Sequence, residues 1–190
     1  MPMRIIAGMA RGRTLLAPKG LNTRPTQDYV RESLFNIIQR DVPGAIALDL
    51  FAGSGALALE ALSRGAEYAV FVDKDRQAAD CIRKNIETLG VAEQTTFLHT
   101  DYQKALQRSF PKPFDLVFLD PPYRLTLYQQ MTDTLANRSL LADDALIVIE
   151  HRRNEAFSLS PMFILEDQRT YGDTAIRLYR FQAGGNSDET

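Results

Sequence analysis

The stretch Ala47-Leu48-Asp49-Leu50-Phe51-Ala52-Gly53-Ser54-Gly55 decides how the rest of the chain is interpreted. It opens as a short apolar run and ends in two glycines around a serine, a pattern typical of a buried strand that turns into a helix. Glycine tolerates positive φ and has no Cβ, so such a turn lets a ligand come close to the backbone. We therefore predict a ligand site at the end of this strand.

An acid follows the glycine turn at an informative distance. Gly53-Ser54-Gly55 with Ala58 matches the pattern G-x-G-x-x-A, and Asp73 follows the first glycine by 20 positions, at the end of the next predicted strand. A carboxylate in this place can accept hydrogen bonds from the hydroxyl groups of a ribose. A tight strand-to-helix turn without a ligand is the alternative. The combination favours a nucleoside cofactor but does not say which one.

Three more residues near this turn are candidates for cofactor binding. Asp49 lies inside the first strand, where an unpaired carboxylate is costly to bury, so it either faces the cofactor or holds the glycine turn through backbone N–H groups. Phe51 stands at the carboxyl end of the same strand. Asp101 follows the third predicted strand, from which it could reach an adenine amino group, and a plain acid at a strand end is the alternative.

Strands and helices alternate from Ile46 onward, which predicts a mainly parallel α/β sheet of seven strands with helices on both faces. Residues 1–43 are predicted to form a basic extension with a hairpin and a helix, residues 44–182 the main domain, and residues 183–190 a disordered tail. The predicted strands are 46–51, 68–73, 95–100, 114–119, 145–150, 163–168 and 174–181. The predicted helices are 55–64, 75–89 and 127–137, after one that begins near Thr26.

The segment Asp120-Pro121-Pro122-Tyr123 follows an apolar strand and presents a carboxylate, two rigid prolines and an aromatic ring. An exocyclic amine of a nucleobase is a poor nucleophile because its lone pair is delocalised into the ring. A carboxylate and a backbone carbonyl that accept its two N–H bonds would localise that lone pair, and Asp120 could then take the proton. Pro121 holds the turn rigid, and Tyr123 can stack on a base taken out of its stack.

This second segment favours methyl transfer from a sulfonium to an amine, with positioning and desolvation supplying most of the catalysis and no metal required. A Pro-Pro turn after a strand, with no chemistry, is the alternative. The segment Glu150-His151-Arg152-Arg153 lies just past another predicted strand, and we interpret it as a solvated edge, although Arg152 and Arg153 could extend the basic surface.

Charge is unevenly distributed, although the formal net charge is only -2. Residues 1–40 carry seven basic and two acidic groups, a net of +5, which leaves −7 for the rest of the chain. Arg4, Arg11 and Arg13 lie on the predicted hairpin, a shape suited to gripping the phosphates of RNA. A solvated basic surface is the alternative. The single cysteine, Cys81, excludes an intrachain disulfide, and no apolar run approaches the roughly 18 residues of a membrane span, so we expect a cytoplasmic protein.

The motifs described so far resemble those of class I S-adenosylmethionine-dependent methyltransferases that act on exocyclic amino groups. Blocks near the N-terminus are similar to those of the bacterial 16S ribosomal RNA guanine-N2 methyltransferases, and the similarity covers residues 3–181. These blocks are Arg4-Ile5-Ile6-Ala7-Gly8, Arg11-Gly12-Arg13, Arg24-Pro25-Thr26 and Val30-Arg31-Glu32-Ser33-Leu34-Phe35-Asn36. Tyr29 departs from the pattern, since a basic residue is expected there.

The resemblance implies a Rossmann-like class I methyltransferase fold, S-adenosylmethionine as methyl donor, and guanine N2 in 16S rRNA of the small subunit or its precursor as acceptor. It implies that the amine is held by Asp120, Pro121 and Tyr123. It implies that the cofactor is held by Gly53, Gly55, Asp73 and Asp101. Three residues would border the active site, on either the RNA phosphate or the methionine end of the donor, namely Arg24, Thr26 and Arg31.

Three rival functions remain open from the sequence. An adenine-N6 DNA methyltransferase can use the same turn at Asp120, but 190 residues leave no room for a target-recognition domain. An NAD-dependent oxidoreductase suits the glycine turn and Asp73, but it offers no role for residues 120–123. A non-catalytic RNA-binding module predicts that Asp120→Ala leaves biological function intact.

Overall fold

The computed structural model describes residues 2–18, 25–122 and 127–184, and of residues 25–27 the backbone alone. Its strands are β1 (Ile46–Asp49), β2 (Tyr68–Asp73), β3 (Thr95–His99), β4 (Phe114–Leu119), β5 (Leu141–Arg152), β6 (Phe163–Tyr171) and β7 (Thr174–Phe181). Its helices are α1 (Pro25–Ile37), α2 (Ala56–Ser63), α3 (Arg76–Leu89), α4 (Tyr102–Leu106) and α5 (Tyr128–Asn137). A single 3-10 turn precedes β3 at Ala92–Gln94.

The strands form one sheet in the order β3-β2-β1-β4-β5-β7-β6. β1 to β5 pair in parallel, whereas β7 runs antiparallel to both β5 and β6. The order reverses beside β1, because the chain leaves β3 and returns on the other side of β1 as β4. Side chains that follow β1 and β4 therefore meet at one edge of the sheet, which is where ligands bind in such folds.

Helices cover both faces of the sheet, and each face has its own apolar core. Leu59 of α2 and Ile82 of α3 pack with Phe118 on one face, together with residues of α1. Leu106 of α4 and Met131 of α5 pack on the opposite face. The predicted fold class is therefore confirmed. No helix in the described ranges is long and apolar enough to cross a membrane.

The N-terminal segment packs against α2 and shares the core of the first face. Residues Arg4 and Thr14 form an isolated antiparallel bridge, as expected for a hairpin. Gly8 lies so close to Ser63 that a Cβ on it would stand 1.8 Å from the Ser63 carbonyl oxygen, and its φ is +82°. Glu60 of α2 accepts hydrogen bonds from the backbone N–H groups of two hairpin residues. The hairpin is thus fastened to the main sheet through α2.

Two elements depart most from the predicted ones, while β1 ends two residues earlier than predicted and β6 ends three residues later. The short helix α4 is not predicted, because it has a single turn and follows directly on the polar end of β3. β5 begins at Leu141 and not at 145, because the exposed acids Asp143 and Asp144 conceal the strand pattern. Asp144 has a φ of 65°, and the pairing of β5 with β4 shifts its register between Phe114 and Leu116. The proposed boundaries of 1–43, 44–182 and 183–190 stay a prediction, and residues 185–190 lie outside the described part.

Candidate active site at the carboxyl edge of the sheet

A cavity of about 220 Å³ opens at the carboxyl ends of the central strands. It brings together the glycine turn after β1, the residue that follows β4, and a residue near the end of β5. α1 and the β6–β7 hairpin complete its wall. Its lining includes Arg31, Asp49, Phe51, Gly53, Ser54, Asp120, Glu150 and Tyr171. The two segments that the sequence singles out therefore line one cavity.

Strand register explains why three acids share this cavity. Asp49 pairs with Phe118 in β4, and Leu119 pairs with Ile149 in β5. Alternate residues of a strand point to the same face of the sheet. Asp120 is therefore expected on the face of Phe118, and Glu150 on the face of Val148. Phe118 and Val148 both belong to the core of the first face. Asp49, Asp120 and Glu150 consequently stand on neighbouring strands β1, β4 and β5, on one face.

The glycine turn has the positive φ values that its sequence predicts. Gly53 and Gly55 have φ values of 56° and 79°, which side chains with a Cβ rarely adopt. A Cβ on Gly55 would also lie 3.1 Å from the ring of Phe71. Asp73 stabilises the turn, since one of its oxygens accepts a hydrogen bond from Gly53 N at 2.8 Å and the other from Asp75 N at 2.8 Å. Each oxygen keeps a lone pair for a further donor.

Asp49 holds the turn and also faces the cavity. Its side chain is 1% exposed, and it accepts backbone hydrogen bonds from Phe51 and Ala58. Oδ1 is buried and has no hydrogen-bond partner among the described residues. Burial raises the pKa of Asp49 to about 7, and the nearby Asp73 carboxylate contributes to this rise, whereas the two backbone bonds oppose the shift. Both interpretations of this acid, as a clamp and as a ligand contact, therefore fit its geometry.

Asp120 and Glu150 are adjacent acids whose negative charges repel each other. Loss of hydration raises the pKa of Asp120 well above its usual value, and the carboxylates of Glu150 and Asp49 raise it further. Solvent still reaches the Asp120 side chain, so its desolvation is partial. Burial also raises the pKa of Glu150. Such groups bind protons and hydrogen-bond donors more readily than ordinary surface acids do.

Arg31 provides a positive charge in the wall of this acidic cavity. Its side chain is 6% exposed, and its Nη2 donates to the Arg4 carbonyl and to Asp28 Oδ1, the latter at 3.1 Å. Its Nε lies 4.0 Å from Glu60 Oε2 and has no hydrogen-bond partner in the part of the chain that the structure describes. Desolvation lowers the pKa of Arg31, although Asp28 and Glu60 oppose this. The guanidinium links the hairpin, α1 and α2 to the cavity.

Comparison with known proteins identifies the family. The family model described as Conserved hypothetical protein 95 matches residues 3–180. The chain belongs to this family. It is 38% identical over 187 residues to Ribosomal RNA small subunit methyltransferase D of Escherichia coli, covering 98% of this chain and 93% of that protein. It is also 38% identical over 181 residues to YlbH of Bacillus subtilis, described as a candidate rRNA methyltransferase, covering 94% of this chain and 98% of that protein.

A solved structure gives the same answer for the fold. The Escherichia coli protein yhhF, described as a candidate methyltransferase, superimposes with a TM-score of 0.86 at 36% identity, covering 97% of this chain and 100% of that one. The resemblance to bacterial small-subunit rRNA methyltransferases is therefore confirmed, as is the Rossmann-like methyltransferase fold.

The other predicted site residues either are not part of the cavity lining or fall outside the described ranges. Asp101 caps α4 by accepting from Gln103 N at 2.9 Å and lies 3.8 Å from Lys74 Nζ. Arg4, Arg11 and Arg13 are exposed on the N-terminal segment, and Arg13 donates to the Thr88 carbonyl at the end of α3. Pro121 is buried directly after β4. Arg24, Tyr123 and the side chain of Thr26 fall outside the description.

One interpretation from the sequence is wrong. The segment that begins at Glu150 is not a solvated edge, since Glu150 lines the cavity and His151 is 1% exposed. Only Arg152 and Arg153 are exposed. The period of two along the strand could have revealed the position of Glu150, because Val148 and Glu150 lie on the face that Phe118 and Asp120 share. Within the described ranges no group of three or more His, Cys, Asp or Glu residues is arranged to hold a metal ion.

Proposed function

We propose that this protein transfers a methyl group from S-adenosylmethionine to the exocyclic N2 of a guanine in 16S rRNA of the small ribosomal subunit. The observation that carries the proposal is the single cavity shared by Gly53 of the glycine turn and by Asp120 after β4. A methyl donor seated over the turn and an amine held at Asp120 would therefore share one cavity. The relatives named as small-subunit methyltransferases support the RNA substrate.

The residues at the turn fit the proposed donor. Asp73 stands at the end of β2, where its free lone pairs can accept the ribose hydroxyls, and Asp101 before α4 suits the adenine amino group. The N-terminus of α2 has no side-chain cap, and Ala56 and Leu57 line the cavity, so its N–H groups can meet a carboxylate. Phe51 lines the same wall, and the unpartnered Oδ1 of Asp49 suits a positive group.

The residues after β4 fit the proposed acceptor. S-adenosylmethionine supplies an electrophilic methyl group on a sulfonium. The Asp120 carboxylate and the Pro121 carbonyl would accept the two N–H bonds of the amine, which localises the lone pair on nitrogen. As the N–C bond forms and the S–C bond breaks, the nitrogen becomes cationic and acidic. Asp120, whose pKa is raised by its surroundings, is then a suitable proton acceptor. Tyr123 remains a proposed stacking residue.

RNA binding is proposed for the basic N-terminal segment. Arg4, Arg11 and Arg13 are exposed there. The hairpin that carries them is hydrogen-bonded to α2, and the N-terminus of α2 lines the cavity. Arg31 lies between this segment and the cavity, so it can serve either the RNA or the carboxylate of the donor. Arg24 and Thr26 are proposed to join this border. The substrate would be the subunit or an assembly intermediate, and the site of action the cytoplasm.

The proposal is tested by following labelled methyl groups. Small subunits from a strain that lacks this protein are incubated with the purified protein and tritiated S-adenosylmethionine. The nucleosides are then separated by chromatography and identified by mass spectrometry. We expect about one N2-methylguanosine per subunit, together with binding of S-adenosylhomocysteine and no binding of NADH. Methylation of adenine in DNA, binding of NADH alone, or no transfer to RNA would contradict the proposal.

Asp120→Ala tests the catalytic assignment. Loss of the proton acceptor and of one amine contact should lower kcat by about 10³-fold, with little change in the affinity for S-adenosylhomocysteine. Asp143→Ala is the matched control, because Asp143 is an exposed acid near the start of β5, away from the cavity. Equal activity of the two variants would remove Asp120 from the mechanism.

A further inference from the structure

We propose that Glu150 selects guanine by accepting a hydrogen bond from the N1–H of the target base while Asp120 accepts one from its N2 amine. The inference rests on the proposed function and adds a specificity-determining residue to it. Neither the sequence motifs nor the relatives' names assign a role to this residue. The inference rests on the order of the side chains along the sheet edge and on the hydrogen-bonding groups of the guanine edge.

The sheet places four residues in a row. The order β2-β1-β4-β5 sets Asp73, Gly53, Asp120 and Glu150 side by side at the carboxyl edge. The nucleoside part of the donor belongs at the β2–β1 end of this row and the amine at β4. The rest of a base whose amine is at Asp120 must then extend away from the donor, towards β5. Glu150 is the acid in the cavity wall at that end.

The Glu150 carboxylate is available for a ligand. Among the described residues, no hydrogen bond or ion pair to the Glu150 carboxylate is found, although this side chain is partly buried. A second, independent sign of a ligand is Asp49 Oδ1, which is buried and unpartnered in the wall of the same cavity. A buried acceptor without a donor costs free energy, so the unpartnered Oδ1 of Asp49 indicates that a ligand occupies this cavity.

Guanine offers the donors that this arrangement lacks. Its Watson–Crick edge carries N1–H beside the N2 amine, two donors in a row that suit two neighbouring carboxylates. Adenine presents an acceptor at N1, which a carboxylate would repel. A site that hydrogen-bonds one particular group discriminates strongly against an analogue without it, since its own polar groups are then left unpaired. The pair Asp120 and Glu150 would therefore read guanine and reject adenine.

The test uses 2-aminopurine, which keeps the N2 amine but has an acceptor at N1. The methylated guanosine is first mapped, and subunits are then reconstituted with RNA that carries guanine or 2-aminopurine at this position. Wild-type protein should methylate guanine with a kcat/KM about 10- to 100-fold above that for 2-aminopurine. Glu150→Gln should lower kcat/KM for guanine and reduce this ratio at least about tenfold, because a glutamine amide can donate to the N1 of 2-aminopurine.

Glu93→Gln is the control, because Glu93 is exposed before β3 and should leave both rates unchanged. If Glu150→Gln lowered kcat/KM by the same factor for guanine and for 2-aminopurine, the inference would be overturned. Glu150 would then affect the reaction only through its electrostatic effect on Asp120. A wild-type ratio near one would overturn it without any variant. The proposed function fails separately, if wild-type protein does not methylate guanine in the unmodified subunit.

Discussion

The acid of α2 and the acids of the cavity belong to the same side of the sheet, yet they have opposite surroundings. Glu60 is 0% exposed and accepts hydrogen bonds from Ile6 N at 2.8 Å, from Ala7 N at 3.0 Å and from Arg64 Nε at 2.7 Å. Asp49 is almost as deeply buried, but its Oδ1 has no donor among the described residues. One acid is saturated and the other is not.

The difference separates a structural carboxylate from functional ones. Donors around Glu60 compensate its burial and fasten the hairpin to α2. Among the described residues the cavity acids have fewer donors, and burial raises the pKa values of Asp49, Asp120 and Glu150, with a further rise from neighbouring carboxylates for Asp49 and Asp120. A bound ligand could supply donors to them, and leaving acids poorly compensated for this purpose is a common compromise between stability and activity. Arg31 touches both regions, since it lines the cavity and lies 4.0 Å from Glu60 Oε2.

The largest effect on stability is expected for Glu60→Gln. The amide would turn a donor towards a hairpin N–H group and leave Arg64 and Arg31 without their buried counter-charge. Removing one partner of a buried ion pair is strongly destabilising, and we expect a loss of about 3 kcal/mol in the free energy of unfolding. Urea denaturation at pH 7, followed by circular dichroism, measures this change.

Glu67→Gln is the matched control for this substitution. Glu67 also forms an ion pair, with Lys112 Nζ at 2.7 Å, but both side chains are more than half exposed. Such surface pairs contribute less than about 1 kcal/mol. If both variants were destabilised by the same amount, burial would not be what distinguishes Glu60, and the comparison of the two regions would fail.

Most of the fold could be predicted from the sequence, because its elements have strong local signals. β2 and β4 have the predicted bounds, and α3 begins after Asp75, whose side chain caps it, and ends at Gly90. The predicted strand β5 is too short, since Asp143 and Asp144 break the apolar pattern while the backbone continues to pair. Helix α4 is a single turn and carries too few residues for a periodic pattern.

The site could be predicted only where a motif is local. The glycine turn with Asp73, and Asp120 with Pro121, are contiguous or regularly spaced signals. Glu150 has no motif, and its place in the cavity depends on the register of β5 against β4, which is a property of the assembled sheet. The role of Glu60 depends likewise on a hairpin 53 or 54 residues away in sequence.

The unsaturated acid Asp49 should make stability depend on pH. Its pKa of about 7 in the folded state exceeds the ordinary value of 3.8, so the folded protein binds the proton more tightly than the unfolded chain. The stabilising contribution of this proton is full below pH 3.8 and disappears as the pH rises through about 7. Between about pH 5.5 and pH 7 the decrease should be roughly 2 kcal/mol.

Asp49→Asn removes this titration, so the free energy of unfolding of the variant should depend less on pH than that of the wild type. We expect the variant to gain roughly 2 kcal/mol on the wild type over this pH range, measured by urea denaturation at several pH values. Asp143→Asn, at an exposed position near the start of β5, should follow the wild-type curve. Parallel curves for wild type and Asp49→Asn would show that Asp49 is compensated as fully as Glu60.

The smallest effect is expected on RNA affinity, from a substitution on the exposed side of the hairpin that is hydrogen-bonded to Glu60. Arg11 is exposed on this hairpin, and Arg11→Ala should remove one ion pair with an RNA phosphate. The variant should therefore bind RNA more weakly by about 1 kcal/mol, with a salt slope lower by about one. Filter binding of small-subunit RNA at several salt concentrations measures both quantities.

Arg108→Ala is the matched control, because it removes the same charge from an exposed position after α4. Its affinity for RNA and its salt slope should stay close to those of the wild type. A general decrease in positive charge would affect both variants alike. Equal slopes for Arg11→Ala and Arg108→Ala would therefore show that the fastened hairpin is not the RNA-binding surface.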